Sequence, residues 1–192
     1  MFNKQGIIMS ATQSRMVPLG TPASDFNLYN VVSDKNISLN DIKSDKATVI
    51  MFICNHCPYV INIYEHLAKF TSEYMQKGIG FAGINSNNFA VYTDDAPDKM
   101  KMVALQLGYE FPYLVDESQE VAKAYQAECT PDFFVYDKDL KLIYRGQYDS
   151  SRPGNGVLVT GRDLKAVLDA VLDGRSVPHG QIPSLGCNIK WK

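Results

Sequence analysis

The sequence is poor in the features that mark several function classes. No apolar run approaches the roughly 20 residues that cross a membrane as a helix. There is no basic stripe with interleaved aromatics, and the net charge is only −2. Nucleic acid is therefore not expected as the main partner. The glycine-rich loop "SSRPGNG" around Arg152 lacks the lysine and the spacing of a phosphate-binding loop. Internal repeats and low-complexity tracts are missing. Tryptophan occurs once, as Trp191, and histidine three times, as His56, His66 and His179. The N-terminus has a three-residue apolar patch at 7–9, where a secretory signal needs about 7–15. A cytoplasmic protein with no membrane partner is the expectation.

What is present is the make-up of an ordinary globular domain. The chain has 192 residues, 45% hydrophobic and 21% charged. That length suits one domain burying roughly 70% of its unfolded surface. Residues 1–16 read as a flexible tail, 17–192 as a single domain, and 175–192 as its irregular C-terminal segment.

Apolar patterning orders the elements. Residues 25–41 alternate around a turn near Ser33–Asn36, a hairpin signal. The run "ATVIMFI" (47–53) is apolar and β-branched throughout, as in a central strand buried on both faces. Helical spacing then runs from Pro58 until Gly78 stops it. A strand over 79–85, a helix over 96–108, a strand over 111–116 and a short helix over 118–127 follow. Residues 132–146 form a second hairpin. Thr160 to Asp163 has a capping-box pattern opening a helix over 163–174. Strand–helix alternation with a late hairpin predicts a central mixed sheet with helices on both faces, preceded by a β-hairpin.

Four cysteines stand out: Cys54, Cys57, Cys129 and Cys187. Structural disulfides are unusual in a reducing compartment, so catalysis or metal binding gains weight. Cys54 and Cys57 lie three apart in "FICNHCPYV", between the buried strand and a helix start. Pro58 fits the first helical position, because its missing N–H and fixed φ cost nothing there. Cys57 is then the N-cap. Unsatisfied N–H groups and the positive helix end favour its thiolate, which is the nucleophile. Cys54, on the turn, can reach it and resolve. An ordinary thioredoxin reading of Cys-x-x-Cys reverses these roles. Two other readings stand beside redox: four cysteines converging on zinc or copper(I), and inert burial.

His56 is placed to stabilise a thiolate as an imidazolium, or is an exposed loop residue. His66 and His179 read as structural or surface residues. Cys187, in "PSLGCNIKW", is either a buried small hydrophobe or a second resolving thiol that swings to Cys57 or pairs with Cys129. Arg145 either supports a thiolate or an anionic substrate, or caps a surface strand. Trp191 reads as an anchor of the tail.

The strand, the Cys-x-x-Cys at a helix start, and the later "CTPDFFV" opening a terminal hairpin resemble the thioredoxin superfamily. The resemblance implies a thioredoxin-like α/β fold, with a cis Thr130–Pro131 loop beside Cys54 and Cys57 that helps to bind substrate. Cys129 would join them. "PLGTPASDFNL", "FICNHCPYV", "CTPDFFVYD", "YRGQYDSSRP" and "GCNIKWK" together resemble a peroxiredoxin-like (alkyl hydroperoxide reductase/thiol-specific antioxidant, redoxin) subgroup. Cys54 stands where peroxiredoxins have a threonine, and Asn55-His56 where thioredoxin has Gly-Pro. The implied activity is thiol–disulfide exchange or thiol-dependent peroxide reduction. The implied partners are a protein or small-molecule disulfide, or a peroxide, and an external thiol reductant. No organic cofactor is required.

Overall fold

The computed structural model of the chain describes residues 11–178 and 180–192. His179 and residues 1–10 of the expected tail lie outside them. β4 (Ala47–Phe52) is the centre of the main sheet, and all six of its residues are buried. It pairs in parallel with β5 (Gly80–Asn85) and antiparallel with β8 (Asp132–Asp137). β6 (Tyr113–Val115) adds in parallel to β5. The expected hairpin, β2 (Asn27–Asn30) with β3 (Lys35–Ser38), extends the sheet beyond β6. β9 (Leu142–Gly146) closes the opposite edge. The order is β3-β2-β6-β5-β4-β8-β9.

Alternation along β4 makes two cores. Val49, Met51 and Ile53 face one layer, and Ile50 and Phe52 the other. The first layer holds α3 (Tyr64–Gln76), α4 (Pro97–Leu107) and α6 (Arg162–Leu172), through Leu67, Phe70, Met100 and Leu164. The second holds α1 (Leu39–Ile42) and α5 (Glu120–Ala124), through Leu39, Ile42 and Ala122. This is a mixed sheet with helices on both faces. α4 begins with Pro97 and ends at Gly108, whose φ of 69° suits a residue without Cβ.

Four expectations need correction. Residues 11–13 are not loose: β1 (Ala11–Gln13) is a strand. Nor is 175–192 irregular throughout, because β10 (Leu185–Asn188) lies between β1 and β7 (Cys129–Thr130) in a second, three-stranded antiparallel sheet. Such short strands carry no periodic signal, and their pairing joins opposite ends of the chain. The helix from Pro58 is broken into α2 (Pro58–Ile61) and α3. The run Val60-Ile61-Asn62-Ile63 has low helix propensity, and the chain makes a tighter turn there, with Ile63 N–H donating to the Val60 carbonyl. Finally, Thr160 does not cap α6. Gly161 is its N-cap with no side-chain bond, and the Asp149 carboxylate accepts the Thr160 and Gly161 N–H groups, each at 2.7 Å. The capping box that does form, Ser38 with Asp41, opens α1.

Candidate active site

Three segments meet at the end of β4. Cys54 lies just past the strand, on the turn into α2. Cys57 is the N-cap of α2, with Pro58 at the first helical position. The third segment is the β7–β8 connection, where Thr130–Pro131 is a cis peptide. The Cys54 sulfur is 3.3 Å from Thr130 Oγ1, and the Cys57 sulfur is 3.1 Å from the Thr130 carbonyl oxygen. A fourth segment enters from far along the chain. β10 sets the Cys187 sulfur 2.6 Å from that of Cys57. All four cysteines are free and buried.

The environment separates the thiols. Burial works against a Cys57 thiolate, yet Cys57 is held well below the ordinary thiol value. Hydrogen bonding from Cys187 and Cys54, the Val60 N–H and Thr130 outweigh the burial. The helix contributes less than its expected length implies. α2 is a single turn, and no cap bond to the Cys57 side chain forms. The Val60 N–H that favours the thiolate also donates, with the Ile61 N–H, to the Cys57 carbonyl. Burial pushes Cys54 far up, helped by Cys57 and by the Asp95 charge, with Thr130 opposing. Cys187 is also raised, first by its bond to Cys57 and then by burial. Cys57 is thus the one thiol of the three poised to ionise.

His56 is not an exposed loop residue. Its side chain is 8% exposed, and its Nδ1 is 2.6 Å from Asp95 Oδ2. Its ring stacks on Tyr92 with centroids 5.3 Å apart. Its Nε2 is buried without a partner among the described residues. Burial disfavours the imidazolium, but the bond and charge of Asp95 and the charge of Cys57 raise its pKa overall. Asp95, fully buried, also accepts the Asn55 N–H at 2.7 Å and the Asn87 side-chain amide at 2.8 Å. Tyr113 donates to Asn55 Oδ1 at 3.1 Å. Asp95 thereby fixes both residues between the two cysteines. Sequence reasoning passed over it, because "TDDAPDK" reads locally as a helix entry and the partner histidine is 39 residues away.

Two predicted residues lie elsewhere. Cys129 points away from the three sulfurs, toward the Pro131 carbonyl at 3.9 Å, and burial pushes its thiol up. Arg145 neither supports a thiolate nor caps a surface strand. It is fully buried on the opposite face of the sheet, bonded to Asp132 at 3.0 Å and over the Phe134 ring at 4.5 Å. Strand alternation sends Tyr144 to the cysteine side and Arg145 away from it. His66 is half-buried, its Nδ1 2.6 Å from the Tyr148 hydroxyl. Trp191 is 43% exposed.

The four cysteines do not converge as a metal site. Among the described residues, the one group of three ligand-type side chains close together is Cys54, His56 and Asp95. Next to Pro131 lies a small cavity of about 10 Å³, lined by Tyr59, Ile63, Pro131, Tyr148, Arg152 and Leu185.

No curated protein matches the chain. An uncharacterized conserved protein from Geobacillus kaustophilus is 56% identical, with a TM-score of 0.95 over 97% of this chain and 98% of that one. A hypothetical protein from Sinorhizobium meliloti is 47% identical, with a TM-score of 0.92 over 94% of this chain and 98% of that one. The peroxidoxin BcpB from Mycobacterium tuberculosis, 17% identical, shares the fold with a TM-score of 0.59 over 81% of this chain and 96% of that one. The AhpC/TSA family model matches residues 19–145. That is more than half of the chain, and with its thiol site it makes this protein a redox enzyme belonging to the AhpC/TSA family.

Proposed function

We propose that the protein is a thiol–disulfide oxidoreductase in which Cys57 attacks and Cys54 resolves. The observation that carries the reading is the Cys57 sulfur, the one thiol at the site held well below its ordinary value although fully buried. Its thiolate attacks one sulfur of a substrate disulfide. The substrate S–S bond breaks, a mixed disulfide forms on Cys57, and the leaving thiolate takes up a proton. Cys54 then loses its proton, attacks the Cys57 sulfur and releases the second substrate thiol. An external dithiol reduces the resulting Cys54–Cys57 bond. No organic cofactor enters the chemistry. We assign the protein to the cytoplasm, where the external dithiol would keep its site reduced.

Membership of the AhpC/TSA family favours a second substrate class, peroxides. There the Cys57 thiolate attacks a peroxide oxygen, the O–O bond breaks, and a sulfenic acid and an alcohol or water result. Condensation with a resolving thiol then expels water. Peroxide consumption at micromolar concentration, with a dithiol reductant, separates the two.

The test is alkylation against pH, cysteine by cysteine, on the reduced protein. Cys57 is expected to react first, with a midpoint well below the free value of about 8.5. Cys57→Ser should abolish reaction with oxidised glutathione, while Cys54→Ser should still consume it through Cys57. If Cys54→Ser abolished attack and Cys57→Ser retained it, the roles would be reversed.

A further inference from the structure

Cys187 lies outside the Cys-x-x-Cys motif, 130 residues from Cys57. Its place at the site is built by backbone pairing. β10 is an inner strand, bonded to β1 on one side and β7 on the other. In that register Cys187 faces Thr130, the residue whose carbonyl and hydroxyl touch Cys57 and Cys54. Closeness depends on the neighbouring residue. A Cβ at position 186 would lie 1.9 Å from the Thr130 carbonyl oxygen, so β10 can sit this near only with glycine there.

The segment after Cys187 is tied down as well. Ile189 N–H donates to the Glu128 carbonyl at 3.0 Å, and Lys190 N–H to Asn87 Oδ1 at 2.8 Å. Gln119 donates to the Lys190 carbonyl at 2.9 Å. Cys187 therefore needs no swing to reach Cys57. Cys54 is shared between Cys57 and the Thr130 hydroxyl, whereas Cys187 rests against Cys57.

We propose that Cys187 is a second resolving thiol, so that the oxidised enzyme can store its disulfide between Cys57 and β10 instead of within the Cys-x-x-Cys loop. This rests on the reading of Cys57 as nucleophile. The Cys187 thiol gives up its proton and its sulfur attacks Cys57 in the mixed disulfide. The bond from Cys57 to the substrate sulfur breaks, the Cys57–Cys187 bond forms, and the substrate leaves as a thiolate that takes the proton. The substrate disulfide has gained two electrons, and the two protein thiols have lost them. An external dithiol returns the protein to its reduced state. The two protein disulfides share Cys57 and exclude each other, so Cys54 and Cys187 compete at one sulfur. A Cys57–Cys187 bond would also pin β10, and with it the small sheet, to the start of α2.

The experiment uses the full chain carrying Cys54→Ser, reduced and treated with oxidised glutathione. The reaction is quenched in acid, free thiols are alkylated, and peptides are mapped by mass spectrometry. The expected product is a peptide pair joined through Cys57 and Cys187, with the glutathione adduct on Cys57 at least tenfold less abundant. Adding Cys187→Ser, or Cys187→Ala if serine disturbs the fold, should leave that adduct as the stable product. A lasting glutathione adduct on Cys57 in the single variant, with Cys187 fully alkylated, would overturn the proposal but leave Cys57 as the nucleophile. Absence of any adduct or disulfide on Cys57 in all variants would overturn both.

Discussion

His56 holds a proton more tightly than a free imidazole because one ring nitrogen meets a buried carboxylate, and the physics of the site turns on that pair. Asp95 acts in two directions. Its charge disfavours a Cys54 thiolate, and its bond favours the imidazolium form of His56. Replacing His56 by glutamine removes the titratable ring but keeps a polar group. The Cys57 alkylation midpoint should then rise by about one pH unit. An unchanged midpoint would show that sulfur and Thr130 contacts alone hold the thiolate. Stability gives a second reading of the same pair. The folded pKa of His56 lies above its unfolded value of about 6.5, so its contribution is complete below that pH. It is lost as pH rises through the folded value. His56→Gln should therefore cost more stability near about pH 5.5 than near about pH 9, as denaturant midpoints would report. The cysteines, His56 and Thr130–Pro131 were legible because they sit in short motifs. Asp95 was not, since nothing local in its stretch points to residue 56.

Elements were readable in proportion to their length and periodicity. β4, β5, α4 and the β8–β9 hairpin follow from unbroken apolar runs, prolines and glycines at their ends. The break between α2 and α3 hides inside a continuous apolar spacing, where β-branched residues still satisfy the pattern. β1, β7 and β10 are four residues or fewer and gain their form from one another. Their pairing is what carries Cys187 to Cys57, so the least legible elements complete the site. Gly186 is the residue on which this depends. Gly186→Ala must push β10 away from Thr130, at a cost of about 1–3 kcal/mol for overpacking. After treatment with oxidised glutathione, the Cys57–Cys187 peptide should fall while Cys57 alkylation at neutral pH persists. Undiminished cross-linking in a variant of unchanged stability would mean that β10 does not need this close approach.

At the scale of the whole molecule, the sheet divides labour between its faces. One face carries the sulfurs together with the core of α3, α4 and α6; the other buries an ion pair, Asp132 with Arg145, directly behind the cis-proline loop. Asp132 follows Pro131, so the pair anchors the far side of the loop that touches both cysteines. Burial pushes the Asp132 carboxyl up to about 6, even with Arg145 at 3.0 Å. The arginine also donates to the Gln126 carbonyl at 2.8 Å, while its Nε and Nη1 have no partner among the described residues. Removing one partner of a buried pair strands the other charge, which costs about 3–5 kcal/mol. Arg145→Met should therefore be strongly destabilised at neutral pH. The sign of the pH dependence follows from the raised carboxyl. Without the cation its folded pKa climbs further, and a group raised on folding adds stability below its unfolded pKa that is lost as pH rises through the folded one. The deficit of Arg145→Met relative to the native chain should shrink as pH falls from about 7.5 to about 5, read from urea midpoints. Cys57 reactivity in the folded variant should change little, because Arg145 lies across the sheet from the sulfurs. A variant of native stability with lost exchange activity would instead place Arg145 in the chemistry, and the division between the two faces would fail.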